Sequence, residues 1–266
     1  MKRFILIALF CLAICQFAQK KTDRFTLSKI ATQLLEEPCS QIDKQYLNHT
    51  YVYLGKGGQS YVFASEDGQY VLKVFRGSRL GMLQFLSRFS SHFAKKKQIL
   101  ETDLEQTLKS YRLAYEELKE ETGLVGIHLD GHAQLPGKLS IVDNLKITHT
   151  MDPNLIPFII QMRATHVKDK IAKNPDKKYL ESLLTLLRLR MDAGIEDTDP
   201  NLAKNFGFIG ERAVQIDPGR FSKTNAPSLQ KLERSKEDLQ HYLNANHPEL
   251  SEDFNTLFEE YFHEAI

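Results

Sequence analysis

The sequence predicts an α+β protein in which a strand-rich half precedes a helix-rich half. Two runs rich in Val, Tyr and Phe flank the turn signal Asp67-Gly68 and predict a β-hairpin. Apolar residues recur at helical spacing over 180–191 and again between 229 and 262, which predicts helices there. With 266 residues, the chain can bury a sizeable core in one or two domains.

The elements between these landmarks follow from the same patterns. Residues 24–50 predict a short helical lead-in. A longer helix is predicted to carry on one face the residues Leu104, Leu108, Tyr111, Tyr115 and Leu118. Segments bounded by Gly and Pro between 123 and 164 predict further strands, and a second strand pair surrounds Gly210-Glu211. The leucine-rich helix beginning at Leu180 is predicted to stop at Gly194.

The N-terminal segment has a different character. Lys2 and Arg3 precede about fifteen mostly apolar residues, fewer than the ~20 that span a bilayer. Residues 1–19 are therefore interpreted as a signal peptide of an exported, secreted or periplasmic protein. The alternative is an uncleaved N-terminal anchor, which would leave the protein attached to a membrane. Lys20, Lys21 and Arg24 leave the orientation of such an anchor open.

Charge and amphipathic pattern limit the classes of partner. The formal net charge of +1 does not suggest a nucleic-acid partner. Residues 76–97 place apolar side chains at helical spacing among basic residues, which predicts a linker helix packed on the domain. The alternative is a basic amphipathic helix that associates with a membrane or a protein partner. The apolar residues at helical spacing are Met82, Leu83, Leu86, Phe89 and Phe93.

The segment Asp197 to Gly207 begins like a calcium loop, because Asp197, Asp199 and Asn201 alternate as the first ligands of an EF-hand do. That motif also needs Gly at its sixth position and Glu at its twelfth. Leu202 and Phe208 occupy those positions here. A calcium-binding exported protein is therefore only a minor alternative.

A glycine-rich hairpin and a strand lysine form the first candidate for chemistry. Gly55, Gly57 and Gly58 lie between two strands, where the backbone can approach a polyphosphate without Cβ obstruction. Lys73 lies in the middle of the next apolar strand, where burial is costly unless its ammonium meets an anion. Alternation gives Lys73 the same face as Val71. An ordinary strand with a solvated polar face remains the alternative.

A second group of candidates surrounds the strand pair near Gly210. Asn205 precedes the first strand and Asp217 ends the second. Side-chain oxygens at the same end of one hairpin can both face a magnesium ion, which prefers oxygen ligands and phosphates. The alternative for Asp-Pro-Gly at 217–219 is a plain turn.

Taken in this order, these motifs resemble the protein-kinase-like fold in its atypical, reduced bacterial forms, including exported ones. The glycine loop of the family, G-x-G-x-x-G-x-V, matches Gly55, Gly57 and Val62, with Ser60 in place of the third glycine. The strand lysine of the family matches Lys73. The resemblance implies a bilobal fold with a strand-rich N-lobe and a reduced helical C-lobe. It covers roughly residues 50 to 225.

The family's magnesium-binding residues match Asn205 and Asp217, and Pro218 stands where Phe is usual. The chain departs from the family at the catalytic aspartate, because Pro200 occupies that position. Asp199 or Asp197 would then serve as the base. The resemblance implies the following nucleotide-binding residues: Gly55, Gly57, Gly58, Ser60, Val62, Val71, Lys73 and Met162.

The resemblance also implies the lobe boundaries and the activity. Residues 20–163 would form the N-lobe with the helical lead-in, and 164–266 the C-lobe with the catalytic-loop-like and DPG segments. Glu105 or Glu116 would pair with Lys73. The implied activity is transfer of the γ-phosphate of ATP, with Mg²⁺, to a hydroxyl of a small-molecule, sugar or protein acceptor. The alternative is an exported pseudokinase that acts as a binding module.

Overall fold

The computed structural model describes residues 10, 14, 16, 17, 19–77, 90–226 and 228–262. The chain divides into two compact units, one of Met1–Glu105 and His128–Ile160, the other of Gln106–Ile127 and Gln161–Ile266. The structure is mixed α+β, so the predicted class is confirmed. Residues 106–127 belong to the second unit, whereas the sequence assigned them to the N-lobe. The predicted lobe boundary after 163 stays a prediction.

The largest sheet has seven strands in the order β4-β7-β3-β2-β1-β5-β6. Strands β1, β2 and β3 form successive antiparallel pairs, and β5 runs parallel to β1. Gly68 adopts a φ of 71° at the β2–β3 turn, which confirms the predicted hairpin. The strands are β1 (Thr50–Lys56), β2 (Ser60–Ser65), β3 (Tyr70–Phe75), β4 (Leu124–His128), β5 (Leu139–Val142), β6 (Thr148–Met151) and β7 (Phe158–Met162).

The predicted helical lead-in is wrong. Only Leu27–Lys29 and Lys44–Asn48 form short 3-10 turns, and the chain between them is irregular apart from isolated bridges, including those at Ile30 and Leu35. The Ala31 amide donates to the Phe75 carbonyl at 2.8 Å, and the Leu35 amide donates to the Leu129 carbonyl at 2.7 Å. These long-range backbone bonds replace the helix, because tertiary context overrides local propensity.

Asp130 anchors this irregular segment. Its carboxylate is buried and accepts the backbone N–H groups of Cys39 at 2.8 Å, Ser40 at 2.5 Å and His132 at 2.7 Å. Burial opposes the charged form, but hydrogen bonds from the Ser40 hydroxyl and these amides hold the pKa of Asp130 well below its usual value. The ionised carboxylate therefore contributes stability to the first unit.

We expect Asp130→Asn to destabilise the first unit by about 2 kcal/mol or more, because a buried amide N–H that loses its acceptor costs ~1–3 kcal/mol. The side chain keeps its shape, so the loss reports hydrogen bonding. Because the folded-state pKa is lowered, the contribution is present above the unfolded pKa near ~3.9 and is lost as pH falls through the folded pKa. Thermal melting at pH 7 and pH 3 measures this.

The wild type should lose more stability between these pH values than the Asp130→Asn variant. The exposed Glu66 provides the control, since Glu66→Ala should leave the melting temperature unchanged. Equal pH dependence of the wild type and Asp130→Asn would contradict the role of this carboxylate.

The second unit contains most of the helices. Its core joins leucines of one long helix to aromatic residues of the last helix, among them Leu183, Leu187, Phe254 and Phe258. Helix α1 extends from the first unit into the second. The helices are α1 (Ser91–Glu117), α2 (Lys119–Thr122), α3 (Val167–Lys173), α4 (Lys177–Asp192), α5 (Leu229–Asn246) and α6 (Pro248–Phe262).

Local signals set the ends of α4. The Asp176 side chain accepts the Lys178 amide at 3.0 Å and caps the N-terminus, and Gly194 has a φ of 64° just beyond the C-terminus. The predicted helix and its predicted stop are therefore confirmed. Helix α3 was not predicted.

Short strands complete the second unit. Strands β10 and β11 form the predicted pair around Gly210-Glu211, with β8 beside β10. The β9–β12 pair was not predicted. These strands are β8 (Thr165–His166), β9 (Ile195–Asp197), β10 (Phe206–Ile209), β11 (Arg212–Gln215) and β12 (Phe221–Lys223).

Part of the predicted basic helix over 76–97 lies outside the described residues, including Met82, Leu83, Leu86 and Phe89. Phe93 belongs to α1. Among the residues that are described, no helix is both long and apolar enough to cross a bilayer.

Candidate functional site

A row of three predicted residues crosses the first three strands. Gly55 on β1 stands opposite Val62 on β2, and Val62 stands opposite Lys73 on β3. Directly opposite residues point to the same face of a sheet, and Val71 shares that face because it lies two residues before Lys73. Lys73 is only 8% exposed, so the alternative of a solvated lysine is wrong. The structure therefore brings these four residues onto one face.

A β-bulge creates this row. The β1–β2 register shifts between Tyr53 and Gly55, because Tyr53 pairs with Phe63 whereas Gly55 pairs with Val62. In a regular strand, Tyr53 and Gly55 would share a face, and the extra residue Leu54 moves Gly55 to the other one. The sequence does not reveal this bulge.

The opposite face of the sheet is aromatic. Phe25 packs there with its ring centroid 4.9 Å from that of Tyr61 and 5.5 Å from that of Phe63. Both residues neighbour Val62 in β2 and so point away from the Lys73 face. The two faces therefore have separate roles. Phe25 packs on one face, and the other face carries the candidate residues.

The glycine turn is closed by its own backbone. The Gly57 amide donates to the Ser60 carbonyl at 2.8 Å, and Ser60 itself is buried. A Cβ placed at Gly55 or Gly58 would meet no atom within 4 Å. Neither residue adopts a positive φ. Packing and backbone conformation therefore do not require glycine here, and the bare backbone is accessible to a phosphate.

Arg76 positions this turn, and the sequence pattern did not single it out for that role. Its Nη1 atom donates to the carbonyls of Gly57 and Gly58, each at 3.0 Å. Its guanidinium also lies 5.4 Å from the ring centroid of Tyr61. The turn is thus held by a side chain from the end of β3.

In the second unit, Asn205 and Asp217 lie side by side. The Asn205 carbonyl accepts the amides of Ile216 at 2.8 Å and Asp217 at 3.3 Å, which closes the open end of the β10–β11 pair. Asp217 is exposed, and its Oδ1 accepts the hydroxyl of Tyr111 at 3.1 Å. Two oxygen-bearing side chains are therefore adjacent at this end of the hairpin.

Helix α1 holds the segment that follows Asp217. Tyr111 is buried, and burial followed by the nearby Asp217 carboxylate raises its pKa well above the usual value, so its hydroxyl stays protonated and donates. Ser110 donates to the Pro218 carbonyl and accepts the Phe221 amide at 2.5 Å. The sequence assigned Tyr111 to the apolar stripe of this helix, since periodicity does not register a hydroxyl.

Asp197 does not fit the predicted role of a base. It is 1% exposed, and its Oδ1 accepts the Asp199 amide at 2.9 Å. Its Oδ2 accepts the Gln215 side-chain amide and lies 3.7 Å from Nη1 of Arg190. Burial raises the pKa of Asp197, and Arg190 and the hydrogen bonds oppose that effect. A carboxylate enclosed in this way cannot meet an acceptor from solvent.

Asp199 is exposed and held through its backbone. Its amide donates to Asp197, and its carbonyl accepts the Asn205 Nδ2 at 2.7 Å and the Asn201 amide at 3.0 Å. These bonds place Asp199 next to Asn205. Of the two aspartates predicted as the base, only Asp199 combines exposure with this position.

The calcium-loop alternative is not favoured. Asn201 Oδ1 accepts the amides of Ala203 and Lys204, and its Nδ2 donates to Asp238 at 2.6 Å. Asp197 is engaged in the buried network. Within the described ranges, no group of three or more His, Cys, Asp and Glu side chains is arranged to hold a metal ion.

The predicted ion-pair partner of Lys73 and the predicted nucleotide contact of Met162 remain predictions. Glu116 accepts Arg112 Nε at 2.8 Å and lies in the second unit, whereas Glu105 lies in the same unit as Lys73. The pairing of Lys73 with Glu105 or Glu116 therefore stays a prediction. Met162 is half-buried at the end of β7, and its amide donates to the Gly123 carbonyl at 2.8 Å.

Comparison with known proteins adds little to these observations. No family model and no curated protein matches the chain. It is similar to the ROP18 kinase domain in complex with AMP-PNP and sucrose, with a TM-score of 0.36, 19% identity, and coverage of 66% of this chain and 53% of that chain. It is also similar to WbdD in complex with the kinase inhibitor LY294002, with a TM-score of 0.37, 14% identity, and coverage of 79% and 45%. The chain spans about half the length of these structures.

The two aspartates of this loop give a matched test. We expect Asp197→Asn to destabilise the protein by about 3 kcal/mol, because it leaves Arg190 buried without its charged partner. Asp199→Asn changes an exposed side chain and should alter stability by less than ~0.5 kcal/mol. Thermal melting of both variants measures the difference. Equal melting temperatures would contradict the structural role of Asp197.

Proposed function

We propose that the protein is an ATP-dependent phosphotransferase that transfers a γ-phosphate to the hydroxyl of an acceptor, either a small molecule such as a sugar or a protein. The observation that supports this most is the backbone bond between Asp217 and Asn205, with Asp199 bonded to the Asn205 side chain. Asn205 and Asp217 would supply the oxygen ligands and Asp199 the carboxylate base, all on the second unit. Lys73 and the glycine turn, which we assign to the nucleotide, belong to the first unit.

The side chains of Asn205 and Asp217 fit Mg²⁺. Magnesium favours oxygen ligands and usually keeps several waters, so one or two protein ligands together with phosphate oxygens suffice. When bound, Mg²⁺ would neutralise charge on the β and γ phosphates. Tyr111 orients the Asp217 carboxylate through the bond to its Oδ1.

Lys73 and the glycine turn fit the phosphates of ATP. A buried ammonium gains from an anion, and we assign Lys73 to the α and β phosphates. The backbone from Gly55 to Gly58 would cover the phosphates, with Arg76 holding the turn. Val62 and Val71, on the same face, supply apolar surface for the nucleotide.

Asp199 would accept the proton of the acceptor hydroxyl as its oxygen attacks the γ-phosphorus. The bond between the phosphorus and the bridging oxygen to the β-phosphate breaks, and ADP leaves. Transfer of this kind depends mainly on position and charge neutralisation. Hydrogen bonds at its amide and its carbonyl hold the backbone of Asp199, which supports this role.

Nucleotide binding is tested first by melting the full-length protein with and without ATP and MgCl2. A ligand that binds the native state stabilises it by mass action, by about 2.7 kcal/mol at 100 times its Kd. Lys73→Met and Asp217→Asn should both abolish the increase in melting temperature. Lys73→Met removes the charge and keeps a long apolar stem.

Substitutions of exposed residues control for charge alone. Lys96→Met and Asp169→Asn should leave the shift with ATP and Mg²⁺ intact. A wild type that does not respond to ATP and Mg²⁺ would contradict the phosphotransferase and favour a binding module. A response that survives both Lys73→Met and Asp217→Asn would contradict the site.

The glycine turn allows a test that separates binding from folding. Gly55→Ala should not lower the melting temperature without ligand, because the new methyl group meets no neighbouring atom and φ is not positive. The shift with ATP and Mg²⁺ should decrease, because the methyl group would occupy the space where the phosphate approaches the backbone.

Gly207→Ala is the contrasting variant. Its Cβ would lie 2.7 Å from the Thr165 carbonyl oxygen, so this substitution should destabilise the protein even without ligand. If Gly55→Ala retains the full shift with ATP and Mg²⁺, the assignment of the turn to the phosphates is wrong.

A further inference from the structure

The turn between β5 and β6 is rigid although it lies on the surface. Asp143 Oδ1 accepts the amides of Leu145 at 2.8 Å and Ile147 at 3.0 Å, and its Oδ2 lies 2.9 Å from Nε2 of His149. The Asp143 amide also donates to the Ile147 carbonyl at 3.0 Å. Lys146 adopts a φ of 67°. The buried aspartate thus holds the tip in one conformation.

This rigid tip exposes apolar side chains. Leu145 is 49% exposed and Ile147 is 51% exposed, with Lys146 between them. Turns usually carry polar residues, and single exposed apolar residues need no explanation. Two large apolar side chains held exposed on a rigid turn indicate a surface that contacts an apolar environment.

A hydrogen bond joins the tip to the end of the N-terminal apolar segment. Asn144 Nδ2 donates to the Lys21 carbonyl at 2.5 Å. In the N-terminal segment before Lys21, Phe10, Ile14 and Phe17 are 67%, 52% and 64% exposed. The tip is therefore bonded to the chain directly after this apolar segment.

Cations surround this junction. Lys20, Lys21 and Arg24 are exposed after the N-terminal segment, and Lys146 is exposed at the tip. The nearby carboxylate of Asp23 is already paired with Lys56 at 2.5 Å. Asp143 is buried in its hydrogen bonds, so the exposed charge here is positive. Apolar side chains among lysines suit an interface with anionic lipid.

We propose that the β5–β6 turn and the end of the N-terminal segment form one membrane-contacting surface, whose partner is a bilayer that contains anionic phospholipid. Leu145 and Ile147 enter the acyl boundary, and Lys20, Lys21 and Lys146 contact the headgroups. This contact holds the first unit against the membrane. The proposal stands independently of the phosphotransferase activity.

The absence of tryptophan from the sequence makes a direct test simple. In the full-length protein, Ile147→Trp introduces a unique fluorophore at the tip. Vesicles of phosphatidylglycerol and phosphatidylcholine in equal parts should shift its emission to shorter wavelength and reduce quenching by acrylamide. Leu155→Trp is the matched control, because Leu155 is 62% exposed in a different turn of the same unit and should report no change.

Three outcomes would overturn the proposal. Vesicle binding with unchanged Ile147→Trp emission would show that the N-terminal segment alone makes the contact. An equal shift on vesicles of phosphatidylcholine alone would exclude the anionic partner. A shift that depends on protein concentration and not on vesicles would mean that a second copy of the chain covers the tip.

A second variant measures the contribution of the tip. The double substitution of Leu145→Ser and Ile147→Ser should lower partition onto the mixed vesicles about tenfold or more, because it removes two large apolar side chains. Leu155→Ser should leave partition unchanged. Equal partition of the double variant and the wild type in vesicle sedimentation would overturn the proposal.

Discussion

The second unit depends on the hydrogen bonds and the ion pair that the buried Asp197 carboxylate makes. This carboxylate joins β9 to β11 through Gln215 and to helix α4 through Arg190. A buried charge is stable only when it is paired and hydrogen-bonded, so these elements are held to a single arrangement. The same carboxylate fixes the backbone of Asp199. The geometry of the candidate site is therefore a consequence of core electrostatics.

The two exposed candidate residues of this unit, Asp199 and Asp217, are held by groups that are themselves buried. Asp197 holds Asp199, Tyr111 holds Asp217, and Ser110 holds the carbonyl of the adjacent Pro218. Functional side chains need such support, because an exposed residue loses its orientation without a rigid neighbour. Helix α1, which ordinary periodicity would describe as a packing helix, provides two of these three supports.

The sheet of the first unit separates two tasks between its faces. The face of Lys73 carries the residues that we assign to the nucleotide. The other face packs against Phe25, and the segment around Phe25 continues to Lys21, which is bonded to the turn that we assign to the membrane. A single sheet thus connects the proposed nucleotide contacts with the proposed membrane contacts.

The sequence by itself determined the elements that have a clear hydrophobic periodicity or a clear turn signal. The β2–β3 hairpin followed from Asp67-Gly68 and its apolar flanks, and helix α4 followed from its leucine stripe and Gly194. Only the tertiary structure decided which face each polar residue occupies. The alternation of side chains along a strand does not determine which face of the sheet Lys73 occupies. The β-bulge that brings Gly55 to the same face has no sequence signal.

The sequence also does not distinguish Asp197 from Asp199 or reveal the structure of residues 24–50. Asp197 and Asp199 look alike in the sequence, and burial against Arg190 distinguishes them. The segment near Leu35 has an apolar pattern that suits a helix, yet it forms backbone bonds to Leu129. Local sequence patterns specify helices, strands and turns, because these elements depend on residues that are close in the chain. Burial and pairing depend on residues far apart in sequence, so only the folded chain decides them.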